Sequence, residues 1–297
     1  MHRSPGLAAA LVVVLPLTAC SYTGNQNKYR AGKTLALTVE HVAGTPVLVD
    51  TRNGRIEVVA EPERGDVSVE AHFQCRGRTQ QEADERLAAM NLDVSRDAGR
   101  RLVVKPAFGA RHRGGDGASI SIKIPDASGV DLDTSNGRVT AQGLAGDLVI
   151  DTSNGRINVT DHDGSAHVDT SNGRILLTNV HGPVEADTSN GAIRLSLAHD
   201  QSGPIDLDTS NGSITVEVGQ GFNGIVIFDA SNGSVHVNDE AGRVSSSSGG
   251  RSKRRITVGE GGRSSRLDTS NGSISFTIGR QARAARPGVK GAEPAGE

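Results

Sequence analysis

A five-residue block, Asp-Thr-Ser-Asn-Gly, recurs along this chain and limits what it can fold into. It begins at Asp133, Asp151, Asp169, Asp187, Asp208 and Asp268, with the variants Asp-Ala-Ser-Asn-Gly at Asp229 and Asp-Thr-Arg-Asn-Gly at Asp50. From Asp133 onward the steps are 18, 18, 18, 21, 21 and 39 residues. Self-similarity at a short fixed period is the mark of a solenoid, in which each repeat buries its apolar face only by stacking on its neighbours. The 39-residue step equals one step of each shorter length, so either a degenerate turn near residues 245–249 or a plain loop fits it.

The flanks of each block share one logic. Ahead of it, two apolar residues alternate with polar ones, as in Val130 and Leu132, Leu148 and Ile150, Val184 and Ala186, Ile205 and Leu207. Behind it the inward row resumes with Ile157 and Val159, Ile175 and Leu177, Ile193 and Leu195, Ile214 and Val216. Period-two alternation on both sides of a turn places two half-buried strands face to face. Small aliphatic side chains fill such a core without aromatics, which accounts for 38 glycines beside five Phe, two Tyr and no Trp. Asn and Gly both tolerate a left-handed backbone, the expected reason for the pair at the corner. Asn-Gly between alternating strands also reads locally as a hairpin, but an outer-membrane barrel needs aromatic girdles that this chain lacks. The expectation is an all-β, single-chain parallel β-solenoid over 126–280, with about 18–21 residues per turn. Six steps at strand spacing make a rod of roughly 29 Å from Asp133 to Asp268.

The rest of the chain is less regular. Residues 1–19 carry Arg3, an apolar run over 7–17 and small residues before Cys20, the pattern of a lipoprotein signal peptide; the run is too short to span a bilayer. Cys20 is then the expected lipid attachment site, and 20–34 a flexible tether. The second cysteine, Cys75, lies in an alternating apolar series and is expected in a core. The region 35–125 reads as β structure with one amphipathic helix at 80–90, opened by the capping box Thr79-Gln-Gln-Glu82. Residues 281–297 have no pattern and read as a disordered tail.

A polar stretch after the leader, strands around a capped helix, the segment Arg-Leu-Val-Val-Lys at 101–105, and repeated Ser-Asn-Gly turns together resemble the putative-adhesin family of bacterial envelope proteins, a family of unknown function. The resemblance spans about 35–280. It implies a β-solenoid and an envelope location, and it brings no catalytic residues.

The block itself supplies the candidate site residues. Its three chemistry-bearing positions form columns: Asp133, Asn136, Gly137; Asp151, Asn154, Gly155; Asp169, Asn172, Gly173; Asp187, Asn190, Gly191; Asp208, Asn211, Gly212; Asp229, Asn232, Gly233; Asp268, Asn271, Gly272. Stacked aspartates repel. The expectation is that each carboxylate accepts backbone N–H groups of its own turn while Arg138, Arg156 and Arg174 neutralise the row. Calcium coils also repeat at 18 residues but use a Gly-Gly-x-Gly-x-Asp motif absent here, so no metal and no cofactor are expected. Asp-Thr-Gly protease chemistry is excluded by the intervening Ser-Asn and by the repetition. His162, His167 and His181 with Asp161 and Asp163 read as solvated corner residues. Arg251, Lys253, Arg254 and Arg255 form the dense basic cluster, a candidate contact for anionic polymers or lipid headgroups. A net charge of −2 and scarce aromatics give no footprint for nucleic acid.

These observations point to a lipid-anchored, non-enzymatic structural, adhesion or interaction surface of the cell envelope. Its partners are the membrane, through acylated Cys20, and envelope proteins or anionic polymers. An accessory role in an envelope-stress or signalling system is the alternative, and a polysaccharide-active β-helix enzyme the third reading.

Overall fold

The computed structural model describes residues 13–15, 29–110, 112–201 and 203–279. The expected Cys20 anchor, most of the leader and the tail at 281–297 lie outside the described residues. Chain order opens with β1 (Val13–Leu15), β2 (Tyr29–Glu40), β3 (Val47–Asn53), β4 (Ile56–Ala60) and β5 (Asp66–Gly77). Helix α1 (Gln80–Ala88) and strands β6 (Asn91–Arg96), β7 (Leu102–Ala107) and β8 (Gly117–Ile124) follow. The strands of the repeat are β9 (Gly129–Asn136), β10 (Val139–Gln142), β11 (Asp147–Asn154), β12 (Ile157–Asp163), β13 (Ala166–Asn172), β14 (Ile175–His181), β15 (Val184–Asn190), β16 (Ile193–Leu197), β17 (Ile205–Asn211) and β18 (Ile214–Val218). The chain closes with β19 (Gly224–Ala230), β20 (Val235–Asp239), β21 (Val244–Gly249), β22 (Lys253–Val258), β23 (Ser264–Asn271) and β24 (Ile274–Ile278).

The repeat is a parallel β-solenoid. Each block ends a strand of one sheet, turns the corner, and hands the chain to a strand of the other. Successive turns pair in register, Asp133 with Asp151, Asp151 with Asp169, Asp169 with Asp187 and Asp187 with Asp208. The residues between the sheets are those the alternation selects: Leu132, Ile150, Ile157, Ile175, Ile193, Leu207 and Ile214 are fully buried. Each such side chain contributes about 1.5–3 kcal/mol by leaving water. The phenylalanines sit where the 18-residue coil gives way. Phe73 meets Phe108 edge-on toward the N-terminal end, and Phe276 meets Phe222 and Phe228 toward the other.

Stack order departs from chain order at both ends. The turn formed by β7 and β8 lies outside the turn of β3 and β4, which itself pairs with β9 and β10. At the far end β23 and β24 pair with β17 and β18, and β19 and β20 lie beyond them. The 39-residue step is therefore neither a degenerate turn nor a plain loop. After the terminal turn the chain makes the antiparallel hairpin β21–β22, which closes its sheet against β19, and then returns to insert one turn inside the stack. The aspartate series expected to run from Asp133 to Asp268 instead runs from Asp50 to Asp229.

Antiparallel pairing covers the other end, where β2, β5 and β8 extend one sheet and β6 extends the other. Residues 29–34, expected in the tether, belong to β2, which pairs with β5 along its whole length. Main-chain pairing holds this segment where its side chains show no apolar period. The helix at 80–90 ends at Ala88, with the Thr79 hydroxyl accepting the Glu82 N–H at 3.1 Å and a Glu82 carboxylate oxygen accepting the Arg78 N–H at 2.7 Å. Its Ala83 lies over Gly77 and Cys75, whose thiol donates to the Ala83 carbonyl at 3.3 Å. Cys75 is buried, and burial, then Asp116, pushes its thiol pKa up.

Candidate functional site

Every turn delivers its block to the same corner, so each block position becomes a column parallel to the solenoid axis. The threonines point inward and are nearly inaccessible. Thr51 donates to the Ala118 carbonyl at 2.9 Å, Thr209 to Gly191 at 3.0 Å and Thr269 to Gly212 at 2.9 Å, each reaching the corner of the adjoining turn. Thr152 is the exception, its hydroxyl buried without an acceptor.

The asparagines form a continuous amide ladder. Asn136 donates to Asn53 at 2.8 Å, Asn154 to Asn136 at 3.0 Å, Asn172 to Asn154 at 3.0 Å and Asn190 to Asn172 at 2.9 Å. Asn211, Asn271 and Asn232 continue it at 3.0, 3.0 and 3.1 Å, in stack order and not chain order. The first rung is fixed by Asn53, which donates to the carbonyls of Gly114 and Asp116 at 2.9 Å. None of these asparagines or their glycines has a left-handed φ, so the expected reason for the Asn-Gly pair is corrected. Asparagine is there for its amide. Glycine is there because a Cβ on Gly155, Gly173 or Gly191 would collide with the carbonyl of the equivalent glycine one turn away. The same residue at the same place in every turn carried that signal, since stacked amides bond along the stacking axis.

The aspartate column stands on the outer face of the β9–β11–β13–β15–β17 sheet. Its ends are compensated: Lys105 meets Asp50 at 2.9 Å, Arg266 meets Asp268 at 2.9 Å and Lys253 meets Asp229 at 2.6 Å. The middle is not. Asp133, Asp151, Asp169, Asp187 and Asp208 make no ion pair among the described residues, nor do they accept from their own turns as expected. The expected neutralisation by Arg138, Arg156 and Arg174 also fails, because the corner places those side chains on the outer face of the opposite sheet. Desolvation by stacked neighbours raises the carboxyl pKa of Asp133, Asp169 and Asp208. Repulsion adds to it, from Asp50 and Asp151 on the first, Asp187 and Asp151 on the second, Asp187 and Asp268 on the third. Asp206, beside the column, is raised by desolvation and by Glu185.

The corner histidines do not converge, and no cluster of three or more metal-ligating side chains occurs among the described residues. His162 is buried with Nδ1 3.0 Å from the Leu144 carbonyl and Nε2 2.9 Å from that of Ser165, while His167 lies 3.2 Å from Glu185 on an outer face. The basic cluster at 251–255 sits on the β21–β22 hairpin. Lys253 is spent on Asp229. Arg254 and Arg255 line a shallow depression of about 360 Å³ with Ile227, Ser248 and Arg266.

A family model described as Toastrack DUF4097 matches residues 57–277, most of the chain and nearly all of the stack. The chain belongs to the Toastrack DUF4097 family. No curated protein matches it. The Toastrack fold of this chain is similar to a solved structure from Bacteroides fragilis described as a putative adhesin, at 11% identity and a TM-score of 0.41, covering 83% of this chain and 97% of that one. It is also similar to one from Clostridium sporogenes described as a putative cell adhesion protein, at 10% identity and a TM-score of 0.34, covering 84% and 100%. A third, from Parabacteroides distasonis and described as a putative adhesin, shares 10% identity at a TM-score of 0.30, covering 82% and 97%.

Proposed function

We propose that this Toastrack protein is a lipid-anchored, non-catalytic interaction surface of the bacterial envelope. The observation that carries this reading is the pair of exposed sheet faces, each presenting the same residue position once per turn in an unbroken column. A repeating surface of that kind offers many equal contacts along a line, which suits adhesion through multivalency. Catalysis asks for a few unlike groups converging on one atom, and the acids here are alike and spread along the axis. The anchor rests on Cys20 and the leader before it.

Two measurements test the reading. Cys20→Ser is expected to move the protein from the membrane fraction to the soluble fraction; unchanged membrane association removes the anchor. A panel of envelope glycans is expected to show no turnover. Turnover that disappears in the double substitution Asp169→Asn, Asp187→Asn overturns the non-catalytic assignment.

A further inference from the structure

The net charge of −2 hides a separation of charge between the two sheets. Opposite the aspartate column, the outward position just past the corner glycine is Arg55, Arg138, Arg156 and Arg174 on four adjoining turns. Register fixes their order, because the residues that follow them, Ile56, Val139, Ile157 and Ile175, pair in sequence. All four are exposed. None makes an ion pair or a side-chain hydrogen bond among the described residues. Arg194 extends the patch one turn further in the neighbouring row, where it pairs with Leu176. The acid on these outward rows from β4 to β16 is Glu57.

Three steps at strand spacing set the four guanidiniums along roughly 14 Å. Like charges facing each other across a sheet destabilise it. The fold does not require that arrangement, since the same row continues with Ala192, Ser213, Ser273 and Ser234 on the following turns. A straight file of unpaired, exposed arginines complements a straight file of anions.

We propose that this arginine ladder binds a linear anionic polysaccharide with a carboxylate on successive sugars, laid along the solenoid axis. The guanidinium fork matches a carboxylate in bidentate geometry. Thr140, in the row beside the ladder, puts a hydroxyl within a residue's width of the bound chain, where sugar hydroxyls lie. Among the described residues these strands carry no outward aromatic to stack on a sugar, so affinity comes from the number of simultaneous contacts. The inference rests on the reading of the protein as an interaction surface and gives that surface a ligand class. The membrane-fraction test of Cys20 stands or falls without it.

Oligogalacturonates of two to ten units, titrated into the purified full chain at low ionic strength, supply the test. Binding is expected to be undetectable for the dimer and to strengthen up to about the length that spans the ladder. If each arginine displaces one condensed counterion as cations do on single-stranded polyanions, four contacts give a log–log salt slope of about −3. The triple variant Arg138→Gln, Arg156→Gln, Arg174→Gln is expected to bring the slope to about −1 and to weaken the octamer at least tenfold. It is also expected to melt no lower than the parent, because it removes repulsion, so lost binding is not lost folding. Reversal of Arg251, Arg254 and Arg255 on the hairpin is expected to leave octamer binding intact. The proposal is overturned by an octamer that does not bind, by the Gln variant binding as the parent does, by equal affinity for dimer and octamer, or by loss of binding only in the hairpin variant. A linear polyphosphate that outcompetes the octamer also overturns the assignment to a sugar acid.

Discussion

Asn172 both donates to Asn154 and accepts from Asn190, so its replacement breaks the amide ladder at two rungs. Net hydrogen-bond contributions of about 0.5–1.5 kcal/mol each, with the lower end fitting exposed groups, put Asn172→Ala at about 1–2 kcal/mol lost in a denaturant titration. Gly173→Ala is a different kind of damage, since its methyl group meets backbone and not a movable side chain. Overpacking of that sort costs about 1–3 kcal/mol or more, and the same titration is expected to show the larger loss for this variant. The column of aspartates responds to pH. Asp169 has a folded-state pKa above its ordinary 3.8, so its contribution to stability is full below that value and is lost as pH rises through the raised one. Asp169→Asn is expected to gain at most about 0.5 kcal/mol at pH 7, because solvent screens the repulsion at this exposed group, and to show less added stability than the parent on acidification through that window. Taking the difference between variant and parent cancels the opposite trend of Asp97, Asp126 and Asp239, whose pKa values are lowered. At this scale the repeated block made its columns legible, but not the reason for the Asn-Gly pair, the surroundings of the aspartates or the sheet on which Arg138, Arg156 and Arg174 stand. Asn and Gly were legible as corner residues because the corner is local; their ladder was not, because its partners lie 18 or more residues away and a left-handed φ explains the same pair equally well.

Among elements, α1 shows how the irregular end is tied to the regular stack. Its Arg86 is buried, pairs with the buried carboxylate of Asp116 and also donates to the Arg76 carbonyl. The Asp116 carbonyl accepts the first rung of the asparagine ladder, so helix, loop and ladder meet at one residue. Removing one partner of a buried pair leaves a charge without compensation. Arg86→Ala is expected to cost about 3–5 kcal/mol, and adding Asp116→Ala is expected to return part of it; equal losses in the single and double variants would show that the pair is not coupled. The helix itself was legible from Thr79 and Glu82, whose capping role is local. β2 was not, because residues 29–34 have no apolar alternation and owe their place to main-chain pairing with β5, about forty residues on.

For the whole molecule the returning C-terminal turn decides most. In a solenoid stacked in chain order, losing the last repeat removes one interface and leaves a shorter rod. Here β23 and β24 lie between two other turns, so truncation after residue 262 removes both interfaces of an inner turn and separates β19 and β20 from the stack. Such a truncation is expected to abolish the cooperative thermal transition, whereas a truncated chain that melts as one unit near the parent temperature would contradict the observed order. The repeat period announced the solenoid and the number of its blocks. It could not announce their order, because identical blocks fit any neighbour equally well and only the hairpin at β21–β22 reverses the path.

That inner placement changes how the rod bears force. A pull applied beyond Gly279 acts first on β24, held on both sides by parallel ladders to β18 and β20, and the load is taken in shear by both at once. Peeling from an end, one turn at a time, is closed to it. Tension therefore meets its resistance in the interior of the stack and not at its frayed edge.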